Sequence, residues 1–226
     1  MLVAPLDVER PETIAAAIEA GVARFGGIDM LLNNAGISVP GVFEAASSEK
    51  IQESFRVNVL GVMDVTRAIL PHFRSRKGGT IVNVSSGAGI VGLPLNSVYS
   101  ATKFAIEGFS ESLAFELLAQ NIVVKLIEPG LVKTNMTAGW IDSLTPSEPI
   151  ADYESYIASI HALYAGMMDD NVPEASTVAQ TIFEAATDGT ERLRYLVTEG
   201  ATSLVEPRRT LTEEAYVESM REAFRV

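Results

Sequence analysis

Apolar and polar positions alternate between two rhythms, helical spacing and short continuous apolar runs, which predicts βα units in an α/β fold with a parallel sheet covered on both faces. Ile14, Ile18, Val22 and Phe25 recur at helical spacing behind Pro11, a residue favoured in a first turn, and Gly26-Gly27 stops the pattern. A helix over 11–25 follows. Residues 28–32 read as a short strand that runs straight into the polar turn Asn33-Asn34-Ala35-Gly36. Ile51, Phe55, Val59, Val62, Thr66 and Leu70 form one stripe, so a single long helix is expected over 48–74, ended by Gly78-Gly79. The β-branched run Thr80-Ile81-Val82-Asn83-Val84 predicts a buried strand with a polar exit at Ser85-Ser86. A helix over 99–120 and a strand over 122–127, closed by Glu128-Pro129-Gly130, come next. Three strands thus end in polar turns, where α/β folds take their ligands.

From 131 to 171 the pattern loosens around Trp140, Tyr153, Tyr156, Ile160, Tyr164, Met167 and Met168, and a substrate loop or lid is expected over 131–172. A helix over 173–187, a strand over 193–197 and a last helix over 212–224, with Thr210 and Glu213 as its capping box, complete the reading. A chain of 226 residues with 47% apolar content suits one domain spanning 1–226. A formal net charge of −12 disfavours nucleic acid as a partner, because phosphates are held by clustered Lys and Arg. The chain has no cysteine, which rules out disulfides and thiolate chemistry and makes a reducing cytoplasm the economical expectation. No basic residue precedes the first apolar stretch and no apolar run reaches roughly 18 residues, so neither secretion nor membrane association is expected. His72 and His161 lack a nearby carboxylate pattern, and no metal is expected.

Tyr99 and Lys103 are four apart on an expected helix and share one face. An ammonium beside a phenol favours the phenolate, which makes tyrosine a usable proton donor and acceptor near neutral pH. Such a pair is common on solvated helices, and its context decides its meaning. Ser86 lies thirteen residues earlier at a strand exit, where its hydroxyl could hold a substrate oxygen. Asn58 interrupts a helical run between Val57 and Val59, where asparagine has poor propensity and needs a polar partner if buried.

Together, Asn33-Asn34-Ala35-Gly36, Asn58, Ser86, Tyr99-Ser100-Ala101-Thr102-Lys103 and Pro129-Gly130-Leu131-Val132-Lys133-Thr134 resemble, in order and spacing, the motif series of short-chain dehydrogenases/reductases. The resemblance implies a Rossmann-like doubly wound sheet, NAD or NADP as cofactor, and hydride transfer between the nicotinamide and an alcohol or ketone. It makes Tyr99 the acid/base and Ser86 the holder of the carbonyl oxygen. Lys103 would tune Tyr99 and bond the nicotinamide ribose, and Asn58 would anchor a proton-relaying water. Asp7 and Val8 would meet the adenine, Asn34, Ala35 and Gly36 would line the cofactor cleft, and Pro129, Gly130, Val132 and Thr134 would contact the nicotinamide end. Met136, Trp140, Tyr156, Ile160, Tyr164 and Met167 suggest an apolar substrate of moderate size. The broad apolar surface of the 103–120 helix, with the family's habit of pairing there, implies a homodimer or homotetramer.

One part of the pattern is not met. The family opens with a strand and a glycine-rich turn that receives the pyrophosphate at a helix N-terminus, and nothing before Asp7 resembles it. The expected sheet therefore lacks its first two strands, the NAD-versus-NADP choice is unreadable, and weak cofactor binding is expected. The competing reading is a Rossmann-like binding protein that has lost nucleotide binding. The intact Asn58, Ser86, Tyr99 and Lys103 set favours the enzyme.

Overall fold

The computed structural model describes residues 1–144, 150–168 and 172–225. Helix α1 (Pro11–Phe25) leads to strand β1 (Met30–Asn33), then to α2 (Ser48–Phe55), a π turn (Arg56–Gly61) and α3 (Val62–Arg76). Strand β2 (Gly79–Val84), α4 (Ser97–Leu117) and β3 (Ile122–Glu128) follow. The second half holds α5 (Asn135–Asp142), α6 (Glu154–Met167), α7 (Ala175–Thr187), β4 (Arg194–Leu196), α8 (Glu199–Thr210) and α9 (Glu213–Ala223). The four strands form one parallel sheet in the order β1-β2-β3-β4, with Ile81 opposite Leu31 and Val124. Among the described residues no strand precedes β1, which is an edge, and Met30 and Leu32 are each 38% exposed there.

Successive residues of β2 face opposite ways, as strand geometry requires. Ile81 packs with Ile69 and Phe73 of α3 and Leu113 and Leu117 of α4, whereas Val82 packs with Ala185 of α7 and Tyr195 of β4. Helices therefore cover both faces, and β2 is apolar on both. The strand ends are fixed by a buried polar chain. The Asn33 side-chain amide donates to Asn83 Oδ1 (2.8 Å) and Thr66 Oγ1 (3.1 Å), and the Asn83 amide donates to Ser110 Oγ (2.9 Å). Every buried group in that chain finds a partner, so β1, β2, α3 and α4 are locked where the site begins.

Several expectations need correction. The helix expected over 48–74 is split by the π turn, which carries Asn58. The segment 131–172 is not loose: it holds α5 and α6, and its residues 145–149 and 169–171 lie outside the described residues. Helix α8 was not expected at all, and the cap of α9 is Thr212, whose hydroxyl accepts from the Ala215 amide, rather than Thr210. Among the described residues no helix is long and apolar enough to cross a membrane, and no three His, Asp or Glu side chains cluster as metal ligands would. His72 bonds the backbone of Ile28 (3.0 Å) at the entry to β1.

Candidate active site

The loops that leave the four strands converge on a cavity of about 730 Å³ at the C-terminal edge of the sheet. Ser38 comes from the exit of β1, Ser86 from β2, Pro129 and Gly130 from β3, and Thr198 from β4. Its outer wall is apolar, with Met136 and Trp140 from α5 and Tyr164 and Met167 from α6. Glu199 is the one charged side chain among the described residues that line it. Of the residues expected to form an apolar pocket, Tyr156 and Ile160 do not line it, and Ile160 is fully buried in the cluster behind it.

Tyr99 sits in the first turn of α4, and Lys103 one turn on. Burial pushes the Tyr99 phenol up to about 12, against the opposing pull of the Ser86 hydroxyl beside it. This differs from the expectation that Lys103 would lower it. The buried Lys103 ammonium turns toward the Val84 carbonyl, to which it donates at 2.8 Å, and lies 5.5 Å from the centre of the Tyr99 ring. Burial also pulls Lys103 down to about 8, partly offset by the Glu107 carboxylate. At neutral pH the site thus holds a protonated phenol beside a charged lysine.

Ser86 caps a short turn over Gly87–Gly89, and its Oγ accepts from the Ala88 amide (3.1 Å). Ser86 also lines the cavity, and its hydroxyl lies 3.4 Å from the Pro129 carbonyl, to which it donates. Asn58 is buried, and its amide grips the backbone of Ile37 from both sides: Oδ1 accepts from Ile37 N and Nδ2 donates to Ile37 O, each at 2.8 Å. Nδ2 also donates to Thr102 Oγ1 at 3.0 Å. The π turn carries this amide between the β1 exit and α4. Gly36 is then held close above the lysine, since a Cβ there would lie 3.4 Å from Asn58 Oδ1 and 3.9 Å from Lys103 Nζ.

The remaining expected cofactor residues fall in different surroundings. Asn34 and Ala35 are exposed at the β1 exit, Pro129, Gly130 and Thr134 are half-buried, and Val132 is buried. Asp7 and Val8 lie apart from the cavity: Asp7 bonds Thr13 and Glu9 at the start of α1, and Val8 packs on the π turn. A Cβ on Gly61 would come within 2.8 Å of Val8 Cβ, so glycine there admits the contact. Sequence reasoning missed Thr198, Gly200, Ser203 and Leu204, which close the cavity from β4 and α8, and Phe224 at the end of α9. The close approach at Gly130 signals the α8 wall, because a Cβ there would meet Thr198 Oγ1 at 2.5 Å and Ala201 N at 3.0 Å.

The nicotinamide half of a dinucleotide fits these residues. Lys103 spends one of its three donors on Val84, leaving donors for ribose hydroxyls, and Gly36 keeps the space above it free of a side chain. Among the described residues no glycine-rich strand-to-helix turn stands beside β1 for the pyrophosphate half.

Comparison with known proteins agrees. The family model described as short chain dehydrogenase matches residues 1–145. An uncharacterized oxidoreductase of Schizosaccharomyces pombe is 37% identical over 201 residues, covering 86% of this chain and 80% of that protein. A 3-ketodihydrosphingosine reductase of Bacteroides thetaiotaomicron is 36% identical over 154 residues, covering 68% of this chain and 56% of its own length. The solved structure of ElxO with NADP bound superposes with a TM-score of 0.70 at 28% identity, covering 88% of this chain and 77% of that one.

Proposed function

The chain belongs to the short-chain dehydrogenase/reductase family and is an NAD(P)-dependent oxidoreductase, and we propose that it reduces an apolar ketone with Tyr99 as proton donor. The observation that carries this reading is the meeting of Ser86 and a protonated Tyr99 at the wall of an apolar cavity, with Lys103 charged one turn behind. When bound, the reduced nicotinamide supplies the hydride to the carbonyl carbon. Ser86 donates a hydrogen bond to the carbonyl oxygen and orients it. As negative charge develops on that oxygen, the Tyr99 hydroxyl delivers its proton there, and the alcohol forms.

Lys103 steadies the transient phenolate by its charge, and its free donors hold the ribose. Asn58 positions the loop at Gly36 and Ile37; with its side chain engaged, a relaying water would sit on its main chain. Pro129, Gly130 and Thr134 border the nicotinamide end. Helices α5 and α6 supply Met136, Trp140, Tyr164 and Met167 to the wall that would cover the substrate. The apolar lining favours a substrate with an apolar body, and the ketone-reducing relative is consistent with a ketone as its reacting group. The exposed stripe of Phe104 and Phe115 on α4, with Leu118 just past its end, suits pairing with a second copy.

A carbonyl panel with NADH and NADPH tests the reading. Apolar ketones should be turned over in preference to sugars and anionic oxo-acids, and the reverse preference would overturn it.

A further inference from the structure

A second, shallower groove of about 540 Å³ lies against the cavity, lined by Pro94, Tyr156, Tyr216, Val217 and Met220, and Phe224 lines both spaces. The partition between them has two sides. On one side the chain weaves, with Leu93 in the cavity and Gly92 and Pro94 in the groove. That side is pinned, because the Tyr164 hydroxyl donates to the Pro94 carbonyl at 3.0 Å. On the other side stands the half-buried ring of Phe224, at the C-cap of α9, packed on the cluster of Val42, Leu95, Trp140, Leu144, Ile157, Ile160 and Tyr164. One wall is therefore fixed by a hydrogen bond, and the other is a single rotatable side chain.

We propose that the groove is a distal subsite for the alkyl tail of a long-chain ketone or alcohol, and that Phe224 is the side chain that decides how long a tail is admitted. The proposal rests on the oxidoreductase reading above and names its substrate class. Two features favour an alkyl tail over a polar one. The groove continues an apolar cavity through an aromatic partition, and its walls are aromatic and aliphatic side chains. The one charged side chain among the described residues that line it, Arg221, already faces Glu218 at 3.7 Å. Each methylene removed from water contributes enough to change affinity by up to about fourfold, so a tail that reaches the groove registers strongly in kcat/KM.

The test is a series of 2-alkanones from 2-hexanone to 2-tetradecanone, assayed with wild-type protein, Phe224→Ala and Gly92→Val. Gly92 lines the groove and a Cβ added there meets nothing within 4 Å, so valine adds bulk at the lining without a clash at its first atom. The readout is the kcat/KM ratio of 2-tetradecanone to 2-hexanone. It should fall at least tenfold in Gly92→Val and rise severalfold in Phe224→Ala, with both variants keeping the wild-type circular dichroism. The same ratio in all three proteins would overturn the subsite. Calorimetric titration with 2-tetradecanone separates this from failure of the catalytic reading. If no ketone is reduced, weaker binding by Gly92→Val still supports the groove, and equal binding sinks it.

Discussion

Replacing Tyr99 by Phe removes one hydroxyl from the cavity wall and no apolar surface, so its effect reads chemistry rather than folding. Turnover should drop by on the order of 10² to 10⁴ with the thermal midpoint nearly unchanged, and a variant with wild-type turnover would remove Tyr99 from the mechanism. The pH profile reports its neighbour. Lys103 is charged below about 8 and loses its proton above, while Tyr99 stays protonated up to about 12. The kcat/KM for ketone reduction should therefore be flat below pH 8 and fall as pH rises through it. Lys103→Arg, whose guanidinium stays charged, should flatten that alkaline limb whatever its absolute rate. A wild-type profile level to pH 10 would show that the lysine charge is not used. Tyr99, Lys103, Ser86 and Asn58 could be singled out in the sequence through the motif series they resemble, with only the Tyr99–Lys103 spacing and the strand exit at Ser86 readable without it. What spacing could not show was the direction of the Tyr99 shift, which burial sets upward against the Ser86 hydroxyl, while the Lys103 ammonium is turned toward Val84. Nor could it show that the amide of Asn58 is spent on Ile37.

At the scale of elements, a buried carboxyl cluster ties the second half of the chain to the first. Arg194 of β4 reaches Glu107 (3.0 Å) and Glu111 (2.6 Å) on α4 and Glu128 (3.3 Å) at the end of β3, and Arg209 of α8 lies 3.9 Å from Glu128. Both Glu128 oxygens are buried without a well-formed hydrogen bond, and desolvation, with Glu107 adding repulsion, lifts this carboxyl to about 7. A carboxyl raised in the folded state holds its proton there while the unfolded chain has lost it. Its contribution to stability is thus full below the ordinary carboxylate value and is lost as pH rises through about 7. Urea unfolding should show wild-type protein losing stability between pH 5 and 8, by on the order of 3 kcal/mol at most from this group. Glu128→Gln should lose less over the same interval, and parallel losses in the two proteins would contradict the assignment. This cluster holds α8 against the site, yet α8 was invisible to pattern reading. Pro207 falls inside it, and its polar stretch Glu206-Pro207-Arg208-Arg209 looks like a turn. Helix α6 was obscured for the opposite reason. With apolar residues spread around it and no polar face, it lacks the one-sided stripe that marks an amphipathic helix. The π turn escaped because apolar spacing continues through Val59 and Val62 whether or not one extra residue is inserted.

For the molecule as a whole, the sheet order follows from alternating βα units, but which surfaces remain open does not. Two apolar surfaces compete to explain any self-association. One is the stripe of α4 and the turn after it, where Phe104, Phe115 and Leu118 are 46%, 67% and 63% exposed, with Leu60 of the neighbouring π turn 52% exposed. The other is β1, which among the described residues is the edge strand of the sheet and has Met30 and Leu32 each 38% exposed, a surface open to strand pairing. The helix stripe is the stronger candidate for a closed dimer. Phe104, Gly108 and Phe115 share one face of α4, continued by Leu118 just past its end, Gly108 lets a second helix approach, and burying each large side chain is worth roughly 1.5 to 3 kcal/mol. Edge pairing would instead grow without closure, giving a size distribution rather than one species. Sedimentation equilibrium at micromolar concentration should show a discrete dimer or tetramer. The double variant Phe104→Glu/Phe115→Glu should sediment as a monomer with unchanged circular dichroism. Survival of the oligomer in that variant would move the interface to β1, and a wild-type monomer would show that neither surface is an interface at this concentration.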